Sequence, residues 1–100
     1  MFDSIIEKAN EYGVLAVILF GSRAKGNERD TSDIDICVIA ETDKKRRLAA
    51  TLCAEIDSDL PIDVIVYTPA EWAECIKDET SFASVILKEG KVLYGQPQIS

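Results

Sequence analysis

The sequence predicts an α/β or α+β domain, a small mixed β-sheet of three to four strands with helices packed on it. Two observations carry that prediction. Short apolar runs at residues 14–20, 33–40 and 62–67 alternate with segments whose apolar residues recur at helical spacing. The chain has 100 residues, 47% of them hydrophobic, which is enough for one core and no more.

In chain order, Phe2, Ile5, Ile6, Ala9 and Tyr12 fall at helical spacing, with Ser4 and Glu7 at the separation of a capping box and Gly13 as the stop. Residues 14–20 are a continuous β-branched and aromatic run, as a buried strand requires. Residues 21–32 read as a loop holding a short helical turn, and a second strand runs from 32 or 33 to 40. Leu48, Ala49, Leu52, Cys53 and Ile56 mark the apolar side of a helix over about 43–58. Pro61 cannot donate to a ladder, so it precedes the third strand, 62–67. Thr68, Pro69 and Glu71 then form a strong helix start: an N-cap, a proline at the first helical position and a glutamate at the third. Trp72, Cys75 and Ile76 give that helix a core face, and Tyr67 and Trp72 read as core rather than as base-stacking residues. A further helix over 81–89 is expected to turn Phe82, Val85 and Ile86 inward and to end at Gly90. Residues 91–94 add a short edge strand. There is no internal repeat or linker, so residues 1–95 form a single domain and 96–100 are expected to fray.

Composition excludes several classes of function. The net charge is −7 and the sequence pI about 4.5, which works against an unaided grip on nucleic acid and suits an interface with a basic protein. Lys44, Lys45, Arg46 and Arg47 are consecutive at a helix start, so they spread around the helix and make no single stripe. No apolar run reaches membrane-spanning length and no signal-like N-terminus is present, so the expectation is a cytoplasmic protein that does not enter a membrane. Cys37, Cys53 and Cys75 are odd in number, with no histidine in the chain to complete a zinc site. They are expected to pack as small reduced hydrophobes.

The candidate site lies between the first two strands. Asp33 and Asp35 alternate with Ile34 and Ile36, so both carboxylates fall on one face of a strand that is otherwise apolar. Acids so placed repel one another unless a cation lies between them, which favours a metal site over a solvated edge. Gly21 and Ser22 stand where the first strand ends, offering backbone N–H groups and a hydroxyl suited to phosphate, with Arg23 and Lys25 following as cations. Arg29 is a weaker candidate. For both halves to meet, strands one and two must run antiparallel. Asp63, near the start of strand three, joins them if that strand runs parallel to strand two, with the intervening helix as crossover.

The residues G-S-R-A-K-G followed by D-T-S-D-I-D-I resemble the signature of the polymerase beta-like nucleotidyltransferases. The short form is similar to the minimal nucleotidyltransferases, many of which are antitoxins paired with a HEPN-domain toxin. The resemblance covers nearly the whole chain and implies the same mixed sheet, with Asp63 as the third carboxylate. It implies magnesium, two ions in all, held by Asp33, Asp35 and Asp63, with Asp63 on the side of the attacking nucleophile. Gly21 and Ser22 would hold the β- and γ-phosphates of ATP, with Arg23 and Lys25 balancing charge. The implied reaction is transfer of AMP to a tyrosine of the HEPN toxin, the acceptor being brought by a partner or by a second copy of the chain. A non-catalytic antitoxin that masks its toxin, and a small-molecule nucleotidyltransferase of the aminoglycoside type, are the alternatives.

Overall fold

Strands buried on both faces must be apolar at nearly every position, and two of the strands here meet that demand. The computed structural model describes residues 2–21 and 33–97. Its elements are α1 (Asp3–Glu11), β1 (Ala16–Phe20), β2 (Ile34–Ile39), α2 (Lys45–Glu55), β3 (Ile62–Tyr67), α3 (Pro69–Cys75), α4 (Phe82–Glu89) and β4 (Lys91–Gly95). The four strands form one sheet in the order β3-β2-β1-β4. β1 pairs antiparallel with both β2 and β4, and β2 pairs parallel with β3 through α2. The mixed sheet and these strand directions are those expected from the sequence.

Helices cover both faces of the sheet. On one, Val17, Leu19, Ile36 and Val38 meet Ile5 and Ala9 of α1 and Leu52 of α2. On the other, Ala16, Ile18, Cys37 and Ile39 meet Trp72 of α3 and Ala83 and Ile86 of α4. An irregularity in the β1–β4 register sets Tyr94 opposite Val17 but Val92 opposite Ile18, leaving Leu93 as an extra residue. Leu93 and Tyr94 both pack on the α1 side. Tyr67 meets Trp72 edge to face, with ring centroids 5.3 Å apart, in keeping with a core role.

Several boundaries and faces depart from the sequence reading. Ser4 does not cap α1, whose N-cap is Phe2 with no side-chain cap; its Oγ instead accepts a hydrogen bond from the Asp57 N–H. α2 ends at Glu55 because Ile56 turns extended to bury its side chain. Cys53 is exposed, whereas Cys37 is fully buried, and burial pushes its thiol up to about 12. The Thr68 capping box forms as expected, and Lys45 of the basic run pairs with Glu71 at 2.6 Å. In α4, Ala83 and Ile86 carry the packing. Phe82 and Val85, expected inward, are 51% and 41% exposed, because a helix of this length seated on one sheet face has room for only one buried stripe.

The chain's end also differs at its first residues. Gly95 closes β4 with φ +70°, where an added Cβ would run into the Leu15 carbonyl oxygen. Pro97 is then buried, and its carbonyl accepts a 2.7 Å hydrogen bond from the indole N–H of Trp72. Residues 96 and 97 are thus fastened to the α3 side of the sheet; residues 98–100 lie outside the described part. Trp72→Phe should therefore cost about 1–3 kcal/mol, since it leaves a buried carbonyl without its donor. Truncation after Gln96 should cost a similar amount, and the two changes together clearly less than their sum. Urea unfolding of the three variants checks this; fully additive losses would mean the tail and the indole act separately.

Candidate active site

The pairing register does most of the work of assembling the site. Phe20 stands opposite Asp35, and Asp35 opposite Asp63. Residues opposite one another in a ladder project to the same face. Cys37 and Ile39, two and four residues beyond Asp35, pack against α3 and α4, so Asp35 and Asp63 rise on that side of the sheet. Asp33 lies just ahead of β2, close enough for its charge to act on Asp35. Ile34, between them, is buried on the opposite side among residues of α1 and α2. The three acids named from the sequence are thereby brought to one end of the sheet, at the starts of two parallel strands.

Their environments differ. Asp33 and Asp63 are exposed, while Asp35 is half-buried. Burial pushes the Asp35 carboxyl above the usual carboxylate range, the charges of Asp63 and Asp33 push the same way, and a hydrogen bond with Asp63 adds to it. Among the described residues no three His, Cys, Asp or Glu side chains are drawn tightly enough together to hold a metal ion. The carboxylates form an open group facing solvent, not a closed cage. An open set of oxygens fits a hard divalent cation that keeps several waters and takes further oxygens from a phosphate.

Gly21 has a second role that the sequence did not announce. It follows β1 directly with φ +80°, and a Cβ there would lie 2.5 Å from Asp35 Oδ2. The backbone thus passes close over the carboxylate, as only glycine allows. Ser22, Arg23, Lys25 and Arg29 lie outside the described residues. Phe20 and Phe82 were also missed: their rings meet edge to face with centroids 5.6 Å apart, beside Asp35. No local signal marks Phe82, because helical spacing alone is equally consistent with an inward residue.

Comparison with known proteins identifies relatives. The family model described as polymerase beta, nucleotidyltransferase matches residues 3–99. A putative protein adenylyltransferase of Methanocaldococcus jannaschii is 35% identical over 80 residues, covering 78% of this chain and 76% of that protein. Among solved structures, a toxin–antitoxin with AMP-PNP superposes with TM-score 0.59 at 26% identity, over 94% of this chain and 73% of that one. A putative nucleotidyltransferase from Sulfolobus solfataricus shares the fold, with TM-score 0.59 at 24% identity, over 94% and 76% of the two chains.

The crowding of Asp35 has a measurable sign. A carboxyl whose folded pKa lies above its unfolded value of 3.8 favours folding while protonated, and that advantage is lost as pH rises through the raised value. At neutral pH the Asp35 charge therefore opposes folding. In chelator, Asp35→Asn should melt a few degrees above wild type at neutral pH, and the gap should close as pH falls toward the unfolded value. Melting curves across that range decide it; a gap that does not change with pH would place its origin elsewhere.

Proposed function

The chain belongs to the polymerase beta nucleotidyltransferase family, and from that premise we propose that it is a magnesium-dependent protein adenylyltransferase that acts as an antitoxin. It transfers AMP from ATP to a tyrosine hydroxyl of a HEPN-type toxin and so silences it. The observation that carries this reading is the alignment of Asp35 with Asp63 on adjacent parallel strands, with the Gly21 backbone passing directly over Asp35. Support in kind comes from a relative that is itself described as a putative protein adenylyltransferase and a structural neighbour that is a toxin–antitoxin with AMP-PNP. A net charge of −7 suits a basic protein partner and disfavours direct nucleic-acid binding. Among the described residues no helix is long and apolar enough to cross a membrane.

In the reaction a new bond forms between the tyrosine oxygen and the α-phosphorus, and the bond from that phosphorus to the leaving pyrophosphate breaks. Asp33, Asp35 and Asp63 would hold two magnesium ions, which when bound supply positive charge to the attacking and leaving oxygens. Asp63 is exposed at the start of β3, and it receives the hydroxyl proton as the acceptor approaches. With no histidine in the chain, a carboxylate is the base available. The Gly21 backbone and the Ser22 hydroxyl hold the β- and γ-phosphates, with Arg23 and Lys25 offsetting their charge.

Asp33→Ala, Asp35→Ala and Asp63→Ala should each lower AMP transfer by about a hundredfold or more while leaving the fold intact. Labelled ATP, magnesium and the copurified partner, followed by mass analysis of the partner, measure this. Silencing of the partner with no adduct would mean masking alone, and AMP appearing only on a small molecule would mean a different acceptor class. Retained transfer by purified Asp35→Ala would falsify the assignment of the acids. Saturating magnesium-ATP should also raise the melting temperature of wild type but not of Asp35→Asn, a ligand at a hundred times its Kd being worth about 2.7 kcal/mol.

A further inference from the structure

We propose that Phe82 is a nucleobase-stacking residue, its ring held ready by Phe20 to receive the base of the bound nucleotide; the inference rests on the adenylyltransferase reading above and extends it to the base. Three observations carry it. Phe82 is 51% exposed although it is a large apolar ring, and the packing of α4 on the sheet is already supplied by Ala83 and Ile86. Its ring is not free to wander, because Phe20 meets it at an interplanar angle of 87°. Phe20 in turn is the cross-strand partner of Asp35, so the aromatic pair rises from the same face as the carboxylates and borders them.

Position decides which aromatic ring of the reaction Phe82 serves. In the sheet order β3-β2-β1, Asp63 lies on one side of Asp35 and Phe20 on the other. The acceptor tyrosine has to bring its hydroxyl to Asp63. In the adenylyltransferase reading the nucleotide's phosphates lie against Gly21, the residue that follows Phe20. The aromatic pair is therefore on the nucleotide's side, two strands from where the acceptor arrives. Val85, one helical turn beyond Phe82 and 41% exposed, widens the apolar surface for the edge of the base. Stacking of this kind is tolerant of base identity, since every base has a π-face.

The test separates the base from the phosphates. Affinities of ATP and of inorganic tripolyphosphate, each with magnesium, are measured for wild type, Phe82→Ala, Phe82→Leu and Phe82→Trp. Wild type should prefer ATP. Phe82→Ala and Phe82→Leu should lose about tenfold in ATP affinity with tripolyphosphate unchanged, and Phe82→Trp should keep or improve it. Leucine preserves the apolar contact with Phe20, so a loss confined to alanine would indicate mere packing and overturn the proposal. So would equal losses for ATP and tripolyphosphate, or unchanged ATP affinity with transfer to the partner impaired, which would make Phe82 a partner contact. If wild type binds neither ligand, the adenylyltransferase reading falls and this one with it. If wild type prefers ATP and Phe82→Ala does so equally, only the role of Phe82 falls.

Discussion

Two like charges held side by side on neighbouring strands set the terms for the rest of this structure. Asp35 and Asp63 share a register position in a parallel ladder, so neither can move away from the other without slipping β2 against β3. A slip of one residue would turn Ile34, Ile36 and Val38 out of the α1–α2 core, where all three are buried. The apolar residues that alternate with the acids therefore hold the acids in place. The repulsion is local and amounts to part of one carboxyl's raised pKa, whereas the register is secured by Ile34, Ile36 and Val38 on one face of β2 and by Cys37 and Ile39 on the other. The core prevails, and the site keeps its charge.

Gly21 adds a second constraint at the same point. With its left-handed backbone and the Asp35 carboxylate where a side chain would be, the exit of β1 is shaped around the acid rather than independently of it. The start of the loop and the carboxylate group are thus one assembly. A larger residue at that position would have to displace Asp35, and with it the contact between Asp35 and Asp63, before it disturbed any phosphate.

Much of this was legible in the sequence because it rests on short-range rules. Asp33 and Asp35 share a face by strand alternation, and Thr68, Pro69 and Glu71 start α3 through groups only a few residues apart. The strand directions were legible from chemistry, since only one arrangement brings residue 21, residue 35 and residue 63 together. What was not legible depended on tertiary packing. Ser4 has the spacing of a capping residue but serves the Asp57 N–H across the fold. Phe82, Val85 and Ile86 are equally apolar, and the seating of α4 on β1 decides that only Ile86 of the three goes in. Pro97 lies just past the Gly95 that closes β4 and looks like a loose end, yet the Trp72 indole needs an acceptor, and that need reaches over 25 positions of chain.

The two faces of the sheet divide the labour unequally. The α1–α2 side is closed over Ile34, Ile36 and Val38 along the whole length of β2. On the α3–α4 side the buried stripe of β2 is only Cys37 and Ile39, because the third position on that face is Asp35. The core there stops one residue pair short, and Phe20 and Phe82 close its end with half-exposed rings instead of buried aliphatics. A small domain can leave that end open because the opposite face carries the burial that the acids forgo. The apolar surface left uncovered and the carboxylates beside it are then two consequences of one choice, the placing of aspartate where a buried strand would ordinarily carry valine or isoleucine.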